Sequence, residues 1–131
     1  MATIHQNDYL AVQHYVASAH VRVVRSERPF ESSSEVLRIF AACRAALAKL
    51  DCGANGLLYD WRRSPISNDP KLHRALVNQM DSLASSFRYK AILVATAIGT
   101  IQANRVGRAM SDDALRVFDD EPAALDHVTG K

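Results

Sequence analysis

The stretch from Trp61 to His73, WRRSPISNDPKLH, holds many of the side chains in this chain that could do chemistry. Ser67, Asp69 and His73 supply the residue types of a nucleophile, acid and base. They crowd one turn, however, and lack the G-x-S-x-G elbow that would present a nucleophile. Asp69 and His73 are four apart and could hold a metal from one helical face, but no third or fourth ligand follows in sequence. Asp69 before Pro70 has a simpler reading, a helix N-cap with proline in the first turn. The Asp carboxylate would accept hydrogen bonds from the free amides, and its charge argues against a phosphate there. No catalytic residue and no metal site is assigned.

The other motifs are weaker. Cys43 falls inside a helical pattern and Cys52 just beyond it, so both read as reduced core thiols without a neighbouring histidine to activate them. GANG (53–56) precedes a strand, the wrong side for a phosphate cradle. GTIQANRVG (99–107) follows one but lacks the P-loop lysine and the dinucleotide glycine spacing, and no cofactor is expected. Arg62, Arg63, Arg105 and Arg108 could converge on nucleic acid, yet no helix-turn-helix or RNP pattern accompanies them, and Asp60 and Asp69 flank the first pair. His5, His14, His20 and His127 are scattered and read as surface or boundary residues.

These groups must be positioned by one domain, 1–131, since 131 residues are about one domain's length. A composition of 48% hydrophobic and 23% charged residues is that of a globular protein, and a net charge of +2 does not by itself argue for nucleic acid. MATIHQNDYL lacks a basic region followed by an apolar core, and no apolar run approaches the roughly 20 residues that span a bilayer. A cytoplasmic protein without membrane insertion is the expectation.

Periodicity supplies the elements. YLAVQHYV (9–16) and AHVRVVRS (19–26) alternate and predict an antiparallel hairpin, with Val21 and Val23 on one face and His20, Arg22 and Val24 on the other. Ser32, Ser33 and Ser34 offer N-caps to a helix whose stripe is Val36, Ile39, Phe40, Cys43, Leu47 and Leu50. GLLYDW (56–61) and KAILVATA (90–97) read as strands buried on both faces. Between them a helix from Pro70 to about Phe87 carries Leu72, Leu76, Met80 and Leu83. A third helix over 99–110, a strand at 115–118 and a helix opening at Pro122 complete the order ββαβαβαβα. That order predicts an α/β fold with a mixed, mostly parallel sheet flanked by helices. Leu57, Leu58, Tyr59, Ile92, Leu93 and Val94 should form its centre.

HVRVVRSERPF (20–30), LLYDWRRSPISNDP (57–70), AILVATAIGTIQANRV (91–106) and VFDDEPAAL (117–125) together resemble the SpoIIAA-like superfamily of STAS domains and CRAL-TRIO carriers. The likeness is greatest to small stand-alone bacterial STAS/SpoIIAA-like proteins and covers nearly the whole chain. It implies a non-enzymatic regulatory module that binds another protein, a second copy of the chain being one candidate. The phosphorylatable Asp-Ser pair of the anti-sigma-factor antagonists is missing, so no serine switch carries over. Arg62, Arg63, Ser67, Asn68 and Arg105 are expected to rim the partner surface, with Asp69 as the cap. The alternative is a small-ligand module, binding a nucleotide or lipid fragment in the crevice at the carboxyl ends of the strands, where open α/β sheets bind ligands. A protein partner wants a flat or convex patch and a ligand wants a concave apolar pocket.

Overall fold

The sheet begins earlier than the residue pattern announces. In the computed structural model, which describes residues 1–65, 69–109 and 115–130, Ala2–Gln6 forms a strand (β1) antiparallel to Leu10–Tyr15 (β2). The order is therefore βββαβαβαβα, one strand more than the alternation predicted. The pattern hides β1 because its register against β2 shifts between Thr3 and His5, which breaks the two-residue period. Asn7 closes the turn, its side-chain oxygen accepting from the amides of Tyr9 and Leu10 at 2.9 and 3.0 Å.

His20–Arg25 (β3) pairs antiparallel with β2 and parallel with Gly56–Asp60 (β4), which is followed by Lys90–Leu93 (β5) and Leu115–Phe118 (β6). Strand order follows chain order across all 6 strands, so only β2 runs against the rest. Successive right-handed crossovers that step the same way put their helices on one face. Those helices are Ser33–Leu47 (α1), Pro70–Ala84 (α2) and Ala97–Ala109 (α3). Glu121–Val128 (α4) covers the opposite face. The described residues thus form a single α/β domain with a mixed sheet and four α-helices. Among the described residues no helix is long and apolar enough to cross a membrane.

Alternation along the strands sorts the core into two layers. Val21, Val23, Leu57, Tyr59, Ile92 and Val94 face α1, α2 and α3, where Val36, Ile39, Phe40, Cys43, Met80, Leu83 and Ala103 meet them. Leu58, Ala91 and Leu93 face Ala124 and Val128 of α4. Gly56 lets α4 come close: a Cβ there would run into the Val128 carbonyl and stand 2.7 Å from its carbon. The six expected central residues are all buried. Some element boundaries differ from the residue pattern. β5 stops at Leu93, and the apolar run continues through exposed Ala95 and Thr96 into α3. Of the three serines Ser32 is the cap, accepting from the Glu35 amide at 3.2 Å, and α1 ends at Leu47, before Leu50.

His20 departs from its expected surface position: it is buried, stacked on Tyr15 at 4.6 Å. Ser18 Oγ lies 2.8 Å from its Nδ1, and Arg22 Nε donates to its Nε2 at 3.2 Å. Burial, and then the Arg22 charge, push its pKa down to about 4, which keeps the ring neutral.

Candidate functional site

The crevice at the carboxyl ends of β3, β4 and β5 opens into a cavity of about 310 Å³. Ile92 and Val94 form its sheet wall, Leu72, Leu76 and Met80 of α2 one side, and Gly99, Ala103 and Val106 of α3 the other. Arg25, Pro29, Phe30, Trp61, Arg62, Ser64, Pro65, His73, Ala95 and Thr96 complete the lining. The void follows from residue size and helix spacing. α2 packs closely on α1 but barely approaches α3, and the α3 residues that line the gap include the small Gly99 and Ala103. The α2 stripe records this. Met80 and Leu83 are buried, whereas Leu72 and Leu76 are only half-buried because they line the space.

Arg25 is the unusual wall residue. It ends β3 on the same face as Val21 and Val23, and is only 3% exposed. Nη1 donates to the Tyr9 carbonyl at 2.8 Å and Nη2 to the Arg28 carbonyl at 3.0 Å. The guanidinium lies over the Phe30 ring, 4.3 Å from its centre, and Phe30 stacks on Tyr9. Among the described residues Nε has no acceptor and no carboxylate comes within ion-pair distance. Burial lowers the pKa to about 10, against the pull of Tyr9, so the group stays charged at neutral pH. A buried cation held only by carbonyl dipoles and a ring face is under-compensated.

Trp61 is half-buried at the cavity wall, with Tyr59 edge-on at 4.9 Å. The Tyr59 hydroxyl donates to the Met80 carbonyl at 2.7 Å, which ties β4 to α2 beneath the cavity. At the α3 side Thr96 Oγ1 accepts from the Gly99 amide at 2.9 Å, capping the helix.

Arg62 is held in place. Its Nε and Nη2 grip the nearly buried Asp60 carboxylate at 2.9 and 2.7 Å, and its Nη1 reaches Glu121 at 3.4 Å. Glu121 also accepts from Arg22 at 2.6 Å, and this bond above all draws its carboxyl below the ordinary range. The Asp60 hydrogen bond raises the Arg62 guanidinium further. The chain Asp60–Arg62–Glu121–Arg22 thereby fastens the first turn of α4 to the sheet.

Three of the residues expected to form a partner surface lie within the described residues. Arg62 lines the cavity, while Arg63 turns to Glu27 at 3.2 Å and is largely exposed. Arg105 is exposed on α3 and is not among the cavity residues. Ser67 and Asn68 lie outside the described residues. Asp69 is an N-cap as expected, accepting from the amides of Lys71 at 2.9 Å and Leu72 at 3.4 Å. Cys43 is buried and its thiol is pushed up to about 12 by that burial, which makes it a poor nucleophile.

No protein-family model matches the chain, and neither does any curated protein or solved structure. The cavity itself therefore carries the functional argument. Arg25 was the residue whose role sequence reasoning missed. The signal was present, because two-residue alternation puts it on the Val21–Val23 side, where a third apolar residue belongs.

Proposed function

We propose that this domain binds a small, mostly apolar molecule in the cavity between α2 and α3. The observation that carries the reading is a concave, apolar-walled space of about 310 Å³ at the carboxyl ends of parallel strands. That volume lies at the lower end of the roughly 300–1,000 Å³ typical of small-molecule sites. It suits a ligand of fragment size better than a dinucleotide or a diacyl lipid. A role in binding rather than chemistry accords with the resemblance to SpoIIAA-like proteins, and membership of that superfamily is part of the same proposal.

Trp61 is the chain's one tryptophan and stands in the cavity wall, so its emission reports occupancy. Titration with the neutral dye N-phenyl-1-naphthylamine should give a saturable change at one equivalent. Ala103→Phe, which fills the space from α3, should weaken it at least about tenfold while circular dichroism stays native. An unsaturable response, or a full response in Ala103→Phe, removes this reading.

A second reading, the regulatory protein-binding module, is favoured by one feature. α4 packs on β4, β5 and β6 but leaves the same face of β2 and β3 uncovered, with Gln13, Tyr15, Arg22 and Val24 half-exposed. On this reading a partner docks on the hairpin face. A partner at the Arg62–Arg63 rim would have to displace Asp60, Glu121 and Glu27 first. Sedimentation of the chain alone tests a second copy as partner. Concentration-dependent dimers abolished by Tyr15→Glu support it, and a monomer at all concentrations excludes that partner.

A further inference from the structure

We infer that the cavity's occupant is a monoanionic carboxylate with an apolar body, an aliphatic or aryl-alkyl acid whose head group pairs with the Arg25 guanidinium. This rests on the cavity being a ligand site, and it adds the ligand's class. Three observations converge. First, Leu72, Leu76, Ala103 and Val106 of the α2 and α3 walls offer a tail apolar contact, with His73 the one polar α2 residue in the lining. Second, Arg25 lines that space and is nearly fully buried, and among the described residues its Nε is unpartnered and no carboxylate neutralises it. Among the described residues two of the five N–H donors that a guanidinium carries are engaged, both by neutral carbonyls. A buried charge in that state gains most from an incoming anion, because the desolvation has already been incurred in folding. Third, the other arginine of the cavity, Arg62, is already neutralised by Asp60 and Glu121. The cavity thus offers one uncompensated positive charge, which a singly charged carboxylate matches. A phosphate monoester would bring a second negative charge beside Asp60. A planar carboxylate also fits the guanidinium fork.

The test compares ligands of one shape and different head groups on the intact protein. Octanoate, 1-octanol, octyl phosphate and 3-phenylpropanoate are titrated separately, read by Trp61 emission and calorimetry. Wild type should bind octanoate at least about tenfold more tightly than octanol, the worth of one charge-assisted pair. Octyl phosphate should bind no better than octanoate. The phenyl acid distinguishes an aryl from an alkyl body, and a preference for either acid over the alcohol supports the class. Arg25→Met, close in volume, should bring octanoate down to the octanol level and leave octanol within about threefold of wild type. Equal binding of acid and alcohol by wild type, tighter binding of octyl phosphate, or an acid preference that survives in Arg25→Met each overturns the inference. The wild-type comparison decides even if Arg25→Met does not fold. Should N-phenyl-1-naphthylamine bind while no acid does, the cavity reading stands and the carboxylate falls. Should none of the probes bind, both fall.

Discussion

Gly56→Ala isolates the contribution of α4. The added methyl would meet the backbone of Val128, 2.7 Å from its carbonyl carbon and 2.9 Å from its Cβ. Ordinary carbon contacts lie at about 3.5–4.0 Å, so the C-terminal turn of α4 must lift by roughly 1 Å. A backbone cannot swing aside as the tip of a lysine can. A gap of about 0.5–1 Å forfeits a quarter to a half of each dispersion contact it opens. The contacts affected are those of Ala124 and Val128 with Leu58, Ala91 and Leu93. Overpacking of this kind costs about 1–3 kcal/mol, and a rigid neighbour places the change near the upper figure. The gain from stiffening the unfolded chain, about 0.4–1 kcal/mol, offsets only part of it. A net loss of about 2–3 kcal/mol should lower Tm by roughly 6–15 °C in a domain of this size. Urea and thermal melts measure the loss, and hydrogen exchange should show it in the α4 amides first. Below the transition, dye binding read at Trp61 should be unchanged, because α4 and the cavity lie on opposite faces of the sheet. A variant melting within about 2 °C of wild type would refute the close approach.

The remaining expectations concern charges and caps. Asp69→Ala should lose about 0.5–2 kcal/mol in urea melts, and Asp69→Ser or Asp69→Asn less, because only alanine leaves the Lys71 and Leu72 amides without their acceptor. Equal stability of all three variants would remove the capping role. Arg62→Glu strips a nearly buried Asp60 of its bidentate partner and sets three carboxylates together. Between the values for exposed and buried pairs, a loss of about 1–3 kcal/mol is expected, and separate melts should show Arg63→Glu within about 0.5 kcal/mol of wild type. His20 titrates near 6.5 unfolded and about 4 folded, so the unfolded chain takes up its proton first. Its contribution is complete above pH 6.5 and is lost as pH falls toward 4. The difference in urea stability between wild type and His20→Gln should shrink across that window, and a constant difference would rule out His20 as the cause.

Much of the fold is readable from periodicity because most strands and helices bury one continuous stripe. Val36, Ile39, Phe40, Cys43 and Leu47 could hardly be anything but the inner face of a helix. GLLYD is apolar enough to declare a strand covered on both sides. β1 was not legible, because an edge strand with a register shift buries little and leaves no alternating pattern. The bound between β5 and α3 was hidden for the opposite reason: ILVATAI is apolar but for Thr96, and composition does not mark where a strand becomes a helix. The Arg62–Asp60 pair lies two residues apart in a turn, yet its importance depends on Glu121, 59 residues away, and no local rule supplies that contact.

Arg25 and α3 are where local rules and tertiary structure disagree, and such disagreements concentrate at functional sites. Along β3 the core-facing positions are Val21, Val23 and Arg25, so the strand places a cation where its own period asks for an aliphatic residue. Along α3 the residues at cavity positions include Gly99 and Ala103, small where a helix covering a parallel sheet would ordinarily bring leucine or isoleucine. Gly107, in the same helix, lowers its propensity further. Each choice alone reduces stability: one buries a charge with no counter-ion among the described residues, the other leaves a void. Neither compensates the other inside the folded chain, since the void stays apolar and Nε stays unpaired. A single addition resolves both, an apolar body for the void and an anionic head for the guanidinium. Binding should therefore stabilise this domain as ligand is added in excess of Kd, by about 2.7 kcal/mol at a hundredfold excess. Octanoate should then raise Tm in wild type, while Arg25→Met should respond no more to octanoate than to octanol.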